Sequence, residues 1–124
     1  MNMISTFLCM QSQIKVWHWQ TQSYAEHKAL GKLYETLDPL VDDFVETFAG
    51  VSGVPKTKDS FRTECTNHPG SDAIMNYLTE KVEWLNGELP SQISQVSGER
   101  SDLMNIIDEM VAAINKTKYL LRLK

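Results

Sequence analysis

The chain has 124 residues, 42% of them hydrophobic and 23% charged, with a formal net charge of −4. That is one domain's length, 1–124, with an ordinary globular balance; it excludes a disordered chain and a nucleic-acid binder that works through overall positive charge. No apolar run reaches the roughly 18 residues of a membrane span, so no membrane partner is expected. The opening MNMISTFLCMQSQIK also lacks the basic start and small-residue cleavage site of a secretory signal, so a cytoplasmic location is expected.

Residues 1–21 are predicted to form a first helix, because Met3, Phe7, Met10, Ile14 and Trp17 follow helical spacing without an intervening Gly or Pro. Thr21, Gln22 and Ser23 make a short polar turn. Ser23, with Glu26 three residues later, reads as a capping box for the next helix. That second helix is predicted over residues 24–49. Leu30, Tyr34, Leu37, Val41, Phe44 and Phe48 form its buried stripe, and the stripe keeps its phase across Pro39, which predicts one kinked helix. Gly50 is the expected stop.

Residues 51–70 hold several turn signals and few apolar side chains. So long a connection suits a chain that must travel the length of a bundle, with a short helix expected around residues 58–65. His68, before Pro69 and Gly70, reads as a turn residue. Ser71 and Asp72 open a third helix with Ile74, Leu78, Val82, Leu85 and Leu89 inward, broken at Pro90. A short piece over 91–96 precedes the last helix, predicted over 99–122, with Leu103, Ile106, Ile107, Met110, Ile114 and Leu121 inward. The fold class is all-α. Short, long and short connections between four helices predict a ferritin-like four-helix bundle with a long crossover between helices 2 and 3.

Cys9 and Cys65 have no metal-ligand spacing and are expected as free thiols. Lys116, Lys118, Arg122 and Lys124 cluster at the end of the last helix, where the helix dipole is sufficient explanation. DNA binding is not expected from them.

The candidate chemistry lies on the second helix. With His27 at 0° and about 100° per residue, Asp38, Asp42, Glu35 and Glu46 fall at about 20°, 60°, 80° and 100°, beside a buried stripe near 300°. Imidazoles and carboxylates together suit iron, zinc or manganese. Asp42 and Glu46, one turn apart, can reach one ion. His27 lies more than about 20 Å from Asp42 along the helix, so only a second chain could bring them together; a two-fold dimer with antiparallel second helices would do so. The bland reading of the same residues is a solvated helix flank, and of His18 a packed histidine between two tryptophans.

The run HWQTQSYAEH, followed after fourteen residues by Asp42-Asp43-Phe44-Val45-Glu46, resembles the Dps branch of the ferritin-like proteins and short ferritin-like proteins of tailed phages. The resemblance implies a homodimer or larger homo-oligomer. It also implies an intersubunit metal site built from His18, His27, Asp42 and Glu46 that binds and oxidises Fe(II), with Trp17, Trp19 and Tyr24 as its shell. The sequence departs from that pattern at three places. The interval from His18 to His27 is about three residues shorter, which argues against convergence of the imidazoles. Gly31 stands where an acid is usual, and the lysine-rich N-terminal tail is missing, so DNA binding is not carried over.

Two functions follow: an iron-binding ferroxidase at a dimer interface, or a non-catalytic helical module on the same fold that binds a phage or host protein. No Glu-x-x-His motif supports the intrasubunit di-iron site of ordinary ferritins, and no Gly-rich loop or GxSxG elbow supports a phosphate-binding fold or a hydrolase.

Overall fold

The computed structural model describes residues 2–57 and 59–123. It is all-helical: α1 is Met3–Gln20, α2 Tyr24–Ser52, α3 Ser71–Asn86, α4 Glu88–Ser97 and α5 Ser101–Arg122. Asn2 starts α1, its Oδ1 accepting the amides of Ile4 (2.9 Å) and Ser5 (3.3 Å). Ser23 starts α2 by accepting the Glu26 amide at 3.2 Å. Among the described residues no helix is long and apolar enough to cross a membrane.

α2 runs unbroken through Pro39 and passes the expected stop at Gly50. It ends at Gly53, whose φ of +84° is the left-handed conformation that glycine adopts without strain. A second boundary also moves. The third helix breaks at Gly87 rather than at Pro90, which instead lies in the first turn of α4. Proline is tolerated there because first-turn amides have no partner inside the helix. α3 and α4 therefore make one bent rod, and the five helices make four rods. Residues 59–65 carry no helix, and Lys58, where the short helix was expected to begin, lies outside the described residues.

Ring contacts set the directions of the rods. Phe7 meets Trp84 edge-on at 5.2 Å, and Trp17 meets Tyr77 at 4.9 Å, so α1 and α3 run antiparallel. α2 packs against both α1 and α5. Its first residues share a hollow with Leu120–Leu123, and Ser52 bonds Ser97, so α2 and α5 are antiparallel as well. Leu30, Leu37, Phe44, Leu78, Ile107 and Ile114 are among the side chains closed in the common core. Each such burial stabilises the fold by about 1.5–3 kcal/mol.

The crossover over residues 53–70 runs alongside α1 and in its direction. Asn2 Nδ2 donates to Lys56 O, the Cys9 thiol lies 3.9 Å from Arg62 O, and Gln13 Nε2 donates to Thr66 O at 3.0 Å. Trp17 Nε1 then donates to the Thr66 and Asn67 carbonyls, and Gln20 Oε1 accepts the His68 amide at 2.7 Å. The loop's polar backbone is satisfied by α1 side chains, which is how an extended segment can lie flat on a bundle. The lengthwise path predicted from its length is present.

Candidate functional site

His18 ends α1 and His27 opens α2, and the short turn between them places their rings in contact. Ring centroids are 3.9 Å apart and the planes 15° from parallel. His18 Nδ1 lies 2.7 Å from His27 O, and His27 Nδ1 lies 2.7 Å from His18 O. A carbonyl can only accept, so each Nδ1 carries a proton, and a ring with no second proton keeps its lone pair on Nε2. The imidazoles converge despite the shortened interval, contrary to expectation. Each residue anchors its neighbour's ring through its own backbone.

Gly31 takes a different meaning from the one its sequence position suggested. A Cβ there would stand 2.7 Å from His18 Cε1 and 3.0 Å from Nδ1. The glycine is the seat of the His18 ring. His18, His27, Lys28, Gly31, Lys32 and Glu35 line a shallow hollow of about 300 Å³. Its rim holds two lysines and one acid.

The shell expected around the histidines is not gathered within one chain. Trp17 is buried under the crossover, whereas Trp19 is 67% and Tyr24 75% exposed. Tyr24 lies 6.5 Å from the His27 ring, and the Lys15 ammonium sits 4.3 Å from the Tyr34 ring and 5.5 Å from the Trp19 ring.

Asp42 and Glu46 sit exposed on the same flank of α2, well over a dozen residues beyond His27, a rise of about 22 Å at 1.5 Å per residue. The hydrogen bond and negative charge of Asp42 hold the Glu46 carboxyl above its usual value. Asp38, on the same stripe, accepts from Gln11 Nε2 at 3.1 Å. Thus one chain presents two halves: a histidine pair near the bundle end and a carboxylate pair beyond the middle. Among the described residues, no three His, Cys, Asp or Glu side chains meet around one point.

A cluster the sequence did not reveal lies behind the histidines. Glu26, 6% exposed, accepts from His68 Nε2 and, at 2.9 Å, from Ser71 Oγ. His68 Nδ1 accepts the Gly70 amide, which fixes the proton on Nε2. Burial pushes the Glu26 carboxyl up, but the hydrogen bonds from His68, Thr21 and Ser71 outweigh it and hold the group below its usual value. Only half of the expected capping box forms. The Ser23 amide turns to Thr21 Oγ1, leaving the Glu26 carboxylate to tie the end of the crossover to α3. His68 is therefore a tertiary anchor rather than a plain turn residue. Its partner is 42 positions away, beyond any local sequence signal.

The family model that matches covers residues 18–121, from the first of these histidines to the last turn of α5. The chain belongs to DUF5856, a family of unknown function. The family segment thus contains the histidine pair, the acid pair, the crossover and the Glu26 anchor. The chain is also similar to an uncharacterised 14.6 kDa protein from the mobD-ri intergenic region of Enterobacteria phage T4. The two are 26% identical over 107 residues, covering 86% of this chain and 75% of the phage protein. No solved structure matches the chain.

Proposed function

We propose that this chain is a ferritin-like, Dps-like protein that pairs through α1 and α2, binds iron between the two copies and oxidises Fe(II). The observation that carries the reading is the histidine pair. Each ring is oriented by an Nδ1–H bond to a carbonyl, the usual second bond of a metal-binding histidine, which leaves Nε2 free for a ligand. The carboxylates of Asp42 and Glu46, on the same helix flank, supply the remaining donors when a second α2 lies antiparallel to the first. Imidazole and carboxylate together suit iron, zinc and manganese. The lengthwise crossover between two antiparallel helix pairs supports the ferritin-like reading.

In this site His18 and His27 hold and orient the ion, and the partner copy's acids neutralise its charge. Fe(II) is the substrate: two ferrous ions each lose one electron, reducing one peroxide and two protons to two waters, with dioxygen as the other candidate oxidant. The protein's part is to keep positions open on the ion for the oxidant.

A second reading has its own support. Two lysines and only one acid rim the histidine hollow, Tyr24 stands exposed 6.5 Å from the His27 ring, and Trp19 is exposed near the end of α1. Those features favour a non-catalytic helical module that docks a phage or host protein. Anaerobic Fe(II) titration followed by oxygen or peroxide separates the two, using the native chain and His27→Ala/Asp42→Ala. Saturable binding and oxidation lost in the variant are expected; binding no better than that of the variant would leave the docking module. Size gives a further discriminator, since a dodecamer fits storage, while a dimer leaves the docking-module reading open.

A further inference from the structure

The exposed face of α2 carries basic residues near its start, acids beyond its middle, and two further exposed acids, Glu35 and Asp38, between them. Lys28 and Lys32 lie in its first third, and Asp42, Asp43 and Glu46 beyond its middle, all exposed. Taking His27 as 0° and about 100° per residue, Lys28 and Glu46 both fall near 100°, with Asp42 and Lys32 near 60° and 140° on either side. Lys28 and Glu46 are each nine residues from Leu37, and Lys32 and Asp42 are each five residues from it. Lys28 and Lys32 are therefore mirror-placed to Glu46 and Asp42 about one point of the helix, with opposite sign.

We infer that this face is a self-complementary charge register for a second copy of the chain, in which Lys28 and Lys32 of one copy sit against Asp42 and Glu46 of the other. The inference rests on the two-fold reading proposed above and adds what selects the register. An α2 laid parallel and level would set lysine on lysine and acid on acid. Laid antiparallel about Leu37, it sets both lysines level with an acid and the dyad doubles each pair, while the acids Glu35 and Asp38 of the two copies meet only near the centre. Beside this stripe, Ile4, Leu8, Val41 and Val45 line a groove between α1 and α2 whose polar edge is Gln11, Asp38 and Asp42, with Leu8 42% exposed. A second copy seated by the charges would cover it.

The lysines then act as resident cations on the acid pair. Dimerisation needs no metal, and a divalent ion arriving at Asp42 and Glu46 must displace an ammonium group. Each exposed pair is weak alone, but the symmetric set together is worth on the order of 100-fold in dimer affinity at low salt.

The test uses three full-length chains in chelator at low salt: the native one, Lys28→Glu/Lys32→Glu, and Asp42→Lys/Glu46→Lys. All substituted side chains are exposed, and circular dichroism checks that each chain remains helical. Sedimentation should show a native dimer, a dimer weakened on the order of 100-fold in either variant, and a mixed dimer restored when the two variants are combined. Charge-reversed chains that dimerise as tightly as the native chain, or a mixture that stays monomeric, overturn the register while leaving the two-fold site standing. A native chain that is monomeric even at high micromolar concentration overturns both.

Discussion

A Cβ on Gly31 would stand 2.7 Å from His18 Cε1, so the absence of a side chain in α2 is what lets the α1 imidazole lie against its backbone. The ring cannot easily retreat, because its Nδ1–H is held by His27 O. Gly31→Ala is therefore expected to destabilise the chain by up to about 2 kcal/mol, overpacking of about 1–3 kcal/mol outweighing the gain of about 1 kcal/mol in helix propensity. Gly50→Ala is the control: it is helical with nothing within 4 Å of the added methyl, and should stabilise by about 0.5–1 kcal/mol. Urea unfolding of the two variants checks the opposite signs.

The buried Glu26 carboxylate should give stability its own acid dependence. Its folded-state proton affinity is lowered from an ordinary value near 4.5, so its contribution is fully present above that value and is lost as pH falls through the lower folded one. Glu26→Gln removes the charge but keeps the shape. It is expected to cost about 1–3 kcal/mol at neutral pH, and the gap from the native chain should close in acid. A gap that stays constant down to low pH would sink this assignment.

Glu46 should behave in the opposite sense. Its carboxyl is raised by Asp42, so the folded state favours the proton, and the stabilisation seen in acid is lost as pH rises through the folded value. Asp42→Asn removes the repulsion and is expected to raise the melting temperature of the metal-free monomer at neutral pH, with little change in acid. Thermal melts at dilute concentration measure this.

Gln13 grips the crossover with both ends of its amide. Nε2 donates to Thr66 O at 3.0 Å, and Oε1 accepts the Thr66 amide at 2.8 Å, from a side chain 4% exposed. Gln13→Ala strips partners from that backbone and should cost about 1–3 kcal/mol. Protease cleavage within residues 53–70 should accelerate more than overall unfolding does, because the strap opens locally before the bundle does.

The helices were legible because their signal is local. The stripe through Leu30, Leu37, Phe44 and Phe48 is a matter of spacing, and it carried α2 across Pro39 in the sequence as it does in the structure. The boundaries were less legible. Gly50 is the expected stop of α2, yet the helix continues past it and the backbone turns to positive φ only at Gly53. Pro90 could break a helix or sit in the first turn of one, and the turn at Gly87 decides that.

The candidate site was half legible. His18, His27, Asp42 and Glu46 stood out by residue type, and their separation along α2 followed from helix rise alone. Sequence could not show that the two imidazoles stack, that Gly31 is the seat of the His18 ring, or that Glu26 leaves its capping box for His68 and Ser71. Periodicity determined the helices and their buried stripes, because those depend on neighbours three or four residues apart, and turn signals with length determined the long crossover. Tertiary structure decided the histidine pair and the Glu26 anchor, because a hydrogen bond between distant residues exists only once packing has brought them together.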